Sequence, residues 1–307
     1  MKSLLLIIAL LLAGCSAQVY QTKTSSEPEL LRLKYRSDVD NSHRAFFVYL
    51  PKNYRSENKK QWPVMLFLHG NGERGNGNDE LGHVLKHGPL YEAWIQKKDL
   101  PFIIIAPQLH MFDFDKQGID YIDNRSNASI PKRLKQGTPQ RPLPFATSGR
   151  LTGVSEFNMS NQDTLFPNGW EQVENDLIAM LNRVQSEYRI DKSKTYLTGL
   201  SYGGVGTWYL ASQHPQRFAA IAPVVGWGHP LLMPNIAKHK LPIWAFAGGR
   251  DSAVEVKYFY HGLNQLEKLG HKVRFTVHED MGHDAWVRVY QGQDIYDWLL
   301  QHSLGNN

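Results

Sequence analysis

The sequence predicts an α/β fold built on a mostly parallel sheet. Two observations carry that expectation. Short apolar runs bounded by glycine or proline recur along the chain, and stretches with helical periodicity separate them. Continuous apolar runs suit strands covered on both faces, and strand–helix alternation is the pattern of parallel sheets. With 307 residues, 42% of them hydrophobic, the chain is long enough to bury a full core.

The expected strands are Arg44–Pro51, Pro63–Gly70, Phe102–Gln108, Lys194–Gly199, Ala219–Gly226, Pro242–Gly249 and Lys272–Glu279. Helical patterns fall near Glu80–Lys98, Trp170–Tyr188, Tyr202–His214, Val254–Leu269 and Ala285–Gln301. Only a short link separates Leu31–Arg36 from Arg44–Pro51, which predicts an antiparallel hairpin at one edge. Residues Leu109 to Gly169 break the rhythm. About sixty irregular residues exceed a plain connection in a compact domain, so they are read as an insertion over the sheet's active edge.

The first residues carry a targeting pattern. Lys2 precedes the apolar run Leu4–Leu12, which is too short to span a bilayer and suits the apolar region of a signal peptide. The following "LLAGC" resembles a bacterial lipobox, which implies lipidation of Cys15 and a signal segment over residues 1–15. Cys15 is the one cysteine in the sequence, so no internal disulfide can form. Ser16 stands where the inner-membrane retention pattern has Asp, and by that resemblance outer-membrane sorting is expected. Residues 16–29 read as a polar tether and 30–307 as one domain. The net charge of +5 is spread among acidic residues with no basic tract, which argues against nucleic-acid binding.

Gly199-Leu-Ser201-Tyr-Gly203 fits G-x-S-x-G between an expected strand and an expected helix. That sharp turn lifts a serine oxygen above the carboxyl edge of a sheet, and its glycines admit the close backbone approach. Other glycine readings fail. Gly204-Val-Gly206 lacks the third glycine of a dinucleotide fingerprint, and no Gly-Lys-Ser/Thr phosphate loop is present.

A serine hydroxyl is a weak nucleophile and needs a base that is itself oriented by an acid. Asp251 follows the Pro242–Gly249 run, and His283 lies on the last strand–helix loop, which gives the order serine, acid, histidine. Asp251 also suits a helix N-cap. Asp280 and Asp284 sit too close to His283 in sequence to reach its far ring nitrogen. Two amides should face the oxyanion: that of Tyr202, and that of Asn71 (with Gly72 as the alternative) on the loop His69–Gly72. His83 and His87 have helical metal-ligand spacing, but Val84 stands where H-E-x-x-H needs glutamate, so no metal is expected.

The segments "LHGNGERGNGN", "IIIAPQ", "YLTGLSYGGVGTW", "FAGGRDSAV" and "MGHDAWVRVY" together resemble α/β-hydrolases. The resemblance is to the dienelactone-hydrolase-like or predicted-peptidase group, related to polyhydroxybutyrate depolymerases and feruloyl esterases. It implies Ser201, Asp251 and His283 as a triad, with no cofactor. In such relatives Trp170 follows soon after the "APQ" strand, whereas here the insertion intervenes. Asn124–Ser155 carries Arg125, Lys132, Arg133, Lys135, Arg141 and Arg150 without an acidic residue. This segment reads either as a solvated loop or as a lid attracting anionic substrates such as uronate-bearing glycans. Trp227 and Trp286 follow strand ends, and each reads either as a ring that stacks on substrate or as core or rim packing. The expected activity is hydrolysis of carboxylic esters. The competing readings are a serine peptidase and a non-catalytic envelope protein that binds a glycan or partner.

Overall fold

The computed structural model describes residues 26–143, 149–151 and 168–305. Eight strands form one sheet in the order β1-β2-β4-β3-β5-β6-β7-β8. In chain order they are β1 (Glu29–Arg36), β2 (His43–Leu50), β3 (Trp62–Leu68), β4 (Ile103–Ala106), β5 (Ile190–Leu200), β6 (Ala220–Val224), β7 (Trp244–Gly248) and β8 (Arg274–His278). β1 and β2 form the expected antiparallel edge hairpin, and β2 is antiparallel to β4. From β4 to β8 every pairing is parallel. The domain starts earlier than the expected tether boundary. Glu29 already pairs with Leu50, and the Ser26 carbonyl accepts from the Asn53 amide at 2.8 Å. Cys15 and the apolar run before it lie outside the described residues.

The inner strands are buried on both faces, which is why they read as apolar runs, whereas the edge strands β1 and β8 are only partly covered. Met65 and Phe67 of β3 pack into one core layer, and Val64, Leu66 and Leu68 into the other. The first layer is closed by α7 (Trp286–Gln291), α8 (Asp294–Leu300) and the segment around Leu90. The second is closed by α3 (Glu174–Glu187), α4 (Tyr202–Gln213) and α5 (Met233–Lys238), and by Leu266 of α6 (Lys257–Lys268).

Two expected helices are broken. Over Glu80–Lys98 the chain forms a 3-10 turn (Leu81–Leu85), then α1 (Gly88–Leu90) running into a π turn (Tyr91–Ile95). The cause is local: His87 is extended and Gly88 has φ +82°, with the Phe67 ring where a side chain would start. The last helix divides at Gly292, where the backbone turns extended between α7 and α8.

Part of the insertion is built onto the body. It contains a 3-10 turn (Phe114–Lys116), α2 (Asp120–Asp123) and an irregular arm over 130–143. The arm lies along 91–97. Arg133 donates to the Trp94 carbonyl at 2.5 Å, and Gln96 donates to the Pro139 carbonyl at 3.1 Å. Arg141 grips the buried Glu92 carboxylate with two bonds of 2.6 and 2.5 Å. Arg125 spans Glu80 Oε1 at 2.5 Å and the Gly72 and Arg74 carbonyls. Three of the six cations that suggested a lid for anions are thus turned into the fold.

Candidate active site

β5 ends at Leu200, and the chain turns at once into α4 with Ser201 at the corner. Ser201 has φ +53° and ψ −117°, a conformation costing on the order of 1–3 kcal/mol that the surroundings must impose. They do so through contact. A side chain begun at Gly199 would lie 2.2 Å from the Gly203 carbonyl oxygen, and one begun at Gly203 would lie 2.0 Å from that of Leu68. The Ser201 amide is held by the Val224 carbonyl at 2.9 Å.

His283 sits after β8, on a 3-10 turn (His283–Ala285). Its Nε2 lies 2.8 Å from Ser201 Oγ, and its Nδ1 lies 2.7 Å from Asp251 Oδ2. Asp251, fully buried after β7, uses its other oxygen differently. Oδ1 accepts the amides of Ala253 and Val254 at 2.9 and 2.8 Å. The acid and cap roles weighed from sequence therefore coexist, one on each oxygen. Asp280 is committed elsewhere, in a two-bond pair with Arg288 at 2.6 Å.

The loop after β3 is fixed by residues that the sequence did not single out. The buried His69 ring accepts the Leu109 amide on Nε2 at 2.9 Å, so Nδ1 carries the proton and donates to the Gly70 carbonyl at 2.6 Å. Burial holds this imidazole down to about 3, so it stays neutral. Because a trans peptide sets C=O and N–H on opposite sides, holding the Gly70 carbonyl turns the Asn71 amide the other way. The fully buried Arg74 donates to Asn71 Oδ1, to the His110 carbonyl at 2.9 Å and to the Asn168 carbonyl at 2.8 Å. Its guanidinium lies 4.0 Å from the centre of the Phe114 ring and 4.8 Å from that of Tyr202. Asn71 Nδ2 in turn donates to Tyr121 Oη of α2 at 2.8 Å, which ties the loop to the insertion.

Ser201, His283, Asn71, Gly72, Tyr202 and Trp286 line one cavity of about 540 Å³. The structure thus brings together every site residue expected there except Trp227. That ring is buried against Val256 and Phe259 and stacked on Tyr258 at 5.9 Å, outside the cavity lining. Past β6 the chain bends toward α6, and apolar burial takes the indole. Trp286 stands edge-on to His283 at 5.2 Å and also meets His87 at 5.4 Å. His83 Nε2 bonds Asn127 Oδ1 at 2.9 Å while His87 faces the cavity, so the two histidines do not converge on a metal.

The sequence profile of the Prolyl oligopeptidase family matches residues 168–239. A bifunctional acetylxylan esterase/xylanase of Neocallimastix patriciarum is 31% identical over 80 residues, which are 24% of this chain and 11% of that protein. The chain thus spans only a small part of that relative. Among solved structures, a thermostable esterase superposes with TM-score 0.57 at 23% identity, covering 89% of this chain and 63% of the other. A ferulic acid esterase from Anaeromyces mucronatus superposes with TM-score 0.52 at 17% identity and 90% coverage of both. The chain has the α/β-hydrolase fold, of the type serine hydrolases use.

Proposed function

We propose that this chain is a serine hydrolase of carboxylic esters, with Ser201 as nucleophile, His283 as general base and Asp251 as its orienting acid. One observation carries the reading. The serine oxygen, both imidazole nitrogens and a buried carboxylate oxygen lie in one relay with contacts of 2.8 and 2.7 Å. His283 takes the Ser201 proton as the alkoxide attacks the ester carbonyl. The amides of Asn71 and Tyr202 hold the oxyanion, and each such donor is worth about 10²–10³ in rate. His283 then protonates the leaving alcohol, and water releases the acid in a second half-reaction.

The relatives' names point to acetyl and feruloyl esters of glycans as the substrates to try first. The Prolyl oligopeptidase match favours a second reading, a serine peptidase with the same three residues. A fluorophosphonate probe should label the wild type and leave Ser201→Ala unlabelled; equal labelling of both would end the hydrolase reading. Turnover of acetyl-xylan or feruloyl esters beside peptide amides then separates the two activities.

We further propose that Cys15 is lipidated and holds the domain at the bacterial envelope. Replacing Cys15 with Ala should move the protein from the membrane to the soluble fraction.

A further inference from the structure

The cavity holds a carboxyl and an imidazole that the relay does not use. Glu73 leaves the loop after β3, is 6% exposed and faces the space beside Ser201. Its Oε2 and the Cβ of Ser201 lie 3.2 and 3.5 Å from the single point where a Gly70 side chain would begin. The carboxyl is therefore a close neighbour of the serine. Across from it stands His87, whose Nε2 is 3.8 Å from Glu73 Oε1. Trp286 then bridges His87 to His283.

Neither group makes a close ion pair among the described residues. No arginine or lysine pairs with Glu73 among the described residues, and 3.8 Å is too long for a hydrogen bond to His87. The backbone amides of Gly70 and of Glu73 itself bond the carboxyl, and a carboxyl so held can still take a further hydrogen bond from the cavity side. The gap defines an occupant: a single hydroxyl oxygen can sit within hydrogen-bond distance of both Oε1 and Nε2, donating to the first and receiving from the second. Burial, only partly offset by the Lys86 charge, the Gly70 amide and the Arg125 charge, raises Glu73 to about 7. Burial and the Lys86 charge keep the His87 imidazole below its ordinary value and hence neutral. The site is therefore not built for an anion. Among the described residues, no arginine or lysine lines the cavity, and an ionised Glu73 would repel a carboxylate.

We propose that Glu73 and His87 form a subsite that reads an uncharged hydroxyl group on the ester substrate, beside the bond attacked by Ser201. This rests on the ester-hydrolase reading and deepens it: the preferred esters carry a free hydroxyl, and esters bearing a uronate carboxylate are poor substrates. A hydrogen bond made in a largely enclosed cavity discriminates because an ester lacking the hydroxyl forgoes it while still covering the polar pair.

The test compares matched esters that differ by hydroxyl groups alone. Glyceryl monobutyrate against propyl butyrate places them on the alcohol side. Ethyl 6-hydroxyhexanoate against ethyl hexanoate places one on the acyl side. In one of the two arms the wild type should favour the hydroxylated ester at least tenfold in kcat/KM. Glu73→Leu and His87→Phe should each bring that ratio toward one, whatever they do to the rate itself; Glu73→Gln, which can still accept a hydroxyl proton, should keep part of it. Ratios near one in both arms for the wild type would overturn the proposal, as would a preference that survives in both Glu73→Leu and His87→Phe. Calorimetric binding of the same esters to Ser201→Ala reads the preference without turnover. A tenfold affinity difference there with no hydrolysis by the wild type would sink the ester reading and keep the subsite; hydrolysis with equal affinities would do the reverse.

Discussion

The Asp251 carboxylate gives one oxygen to His283 Nδ1 and the other to the backbone of its own loop, at Ala253 and Val254. The same side chain thus shapes the loop and orients the ring. Asn at this position can keep the backbone bonds through its carbonyl oxygen, yet its amide would donate toward Nδ1 and force the proton onto Nε2. Asp251→Asn should therefore lower kcat by about 10³–10⁴ with little change in Tm. Asp251→Ala should lose comparable activity and also destabilise by about 1 kcal/mol or more through the lost cap. Steady-state kinetics beside thermal melts separate the two effects.

If Asn71 serves the oxyanion as proposed, Arg74 acts on the reaction through it. Arg74→Ala would strand Asn71 Oδ1 and the carbonyls of His110 and Asn168 in buried surroundings. The loop should relax, with kcat falling by roughly tenfold to a hundredfold, the scale of a displaced oxyanion donor. Arg74→Lys should not restore it, because one ammonium cannot span three acceptors in that planar fork. Fluorophosphonate labelling rates would follow the same order.

Gly203→Ala tests the elbow itself. With the Leu68 carbonyl oxygen 2.0 Å from the new Cβ, the strand and helix must part, which should cost about 4 kcal/mol or abolish folding. A variant that melts like the wild type would show that the turn tolerates a side chain there.

Two opposite pH effects on stability are expected. His69, His83, His87 and His110 are held by burial at about 3 to 4, below their unfolded value of 6.5. The unfolded chain takes up these protons first, so their contribution is intact above pH 6.5 and is lost as pH falls toward 4. Glu73 has the other sign. Raised from 4.5 to about 7, it favours the folded state while protonated and costs stability as pH rises through that window. Glu73→Gln should therefore be more stable than the wild type at pH 8.5, by an amount on the order of 3 kcal/mol, with the gap closing near pH 5. Chemical denaturation at the two pH values measures it.

Arg141 fastens the insertion arm to a nearly inaccessible carboxylate. Removing it leaves Glu92 buried and unmatched, a change of about 3–5 kcal/mol for a fully buried pair and less here, where Arg141 is partly exposed. Arg141→Ala should make residues 130–143 newly sensitive to limited proteolysis while the sheet stays intact.

The strand segments along the chain and the three relay residues were legible because each rests on local signals. Apolar runs ending in glycine mark β3, β5 and β7, and the G-x-S-x-G spacing is itself the packing of Gly199 and Gly203 against neighbouring backbone. Glu73, Arg74 and His69 were visible as letters, but nothing in their sequence context says that these charges and this ring are buried. Their surroundings come from Gln108, His110 and Asn168, far along the chain. Trp227 and the stretch 80–98 failed for the same reason. A strand end does not tell which way an indole turns, and helical periodicity does not register the Phe67 ring pressing on Gly88.

The antiparallel hairpin at the sheet edge also sets an orientation. Glu29 pairs with Leu50, at the end of β2 remote from the point where β4 meets it at Ala106, so the chain enters the domain at Ser26 on the pole away from Ser201. The described chain therefore begins on the side of the sheet opposite the cavity mouth. A domain moored through Cys15 would carry its mouth outward, open to bulky polymers diffusing past rather than to the lipid beneath.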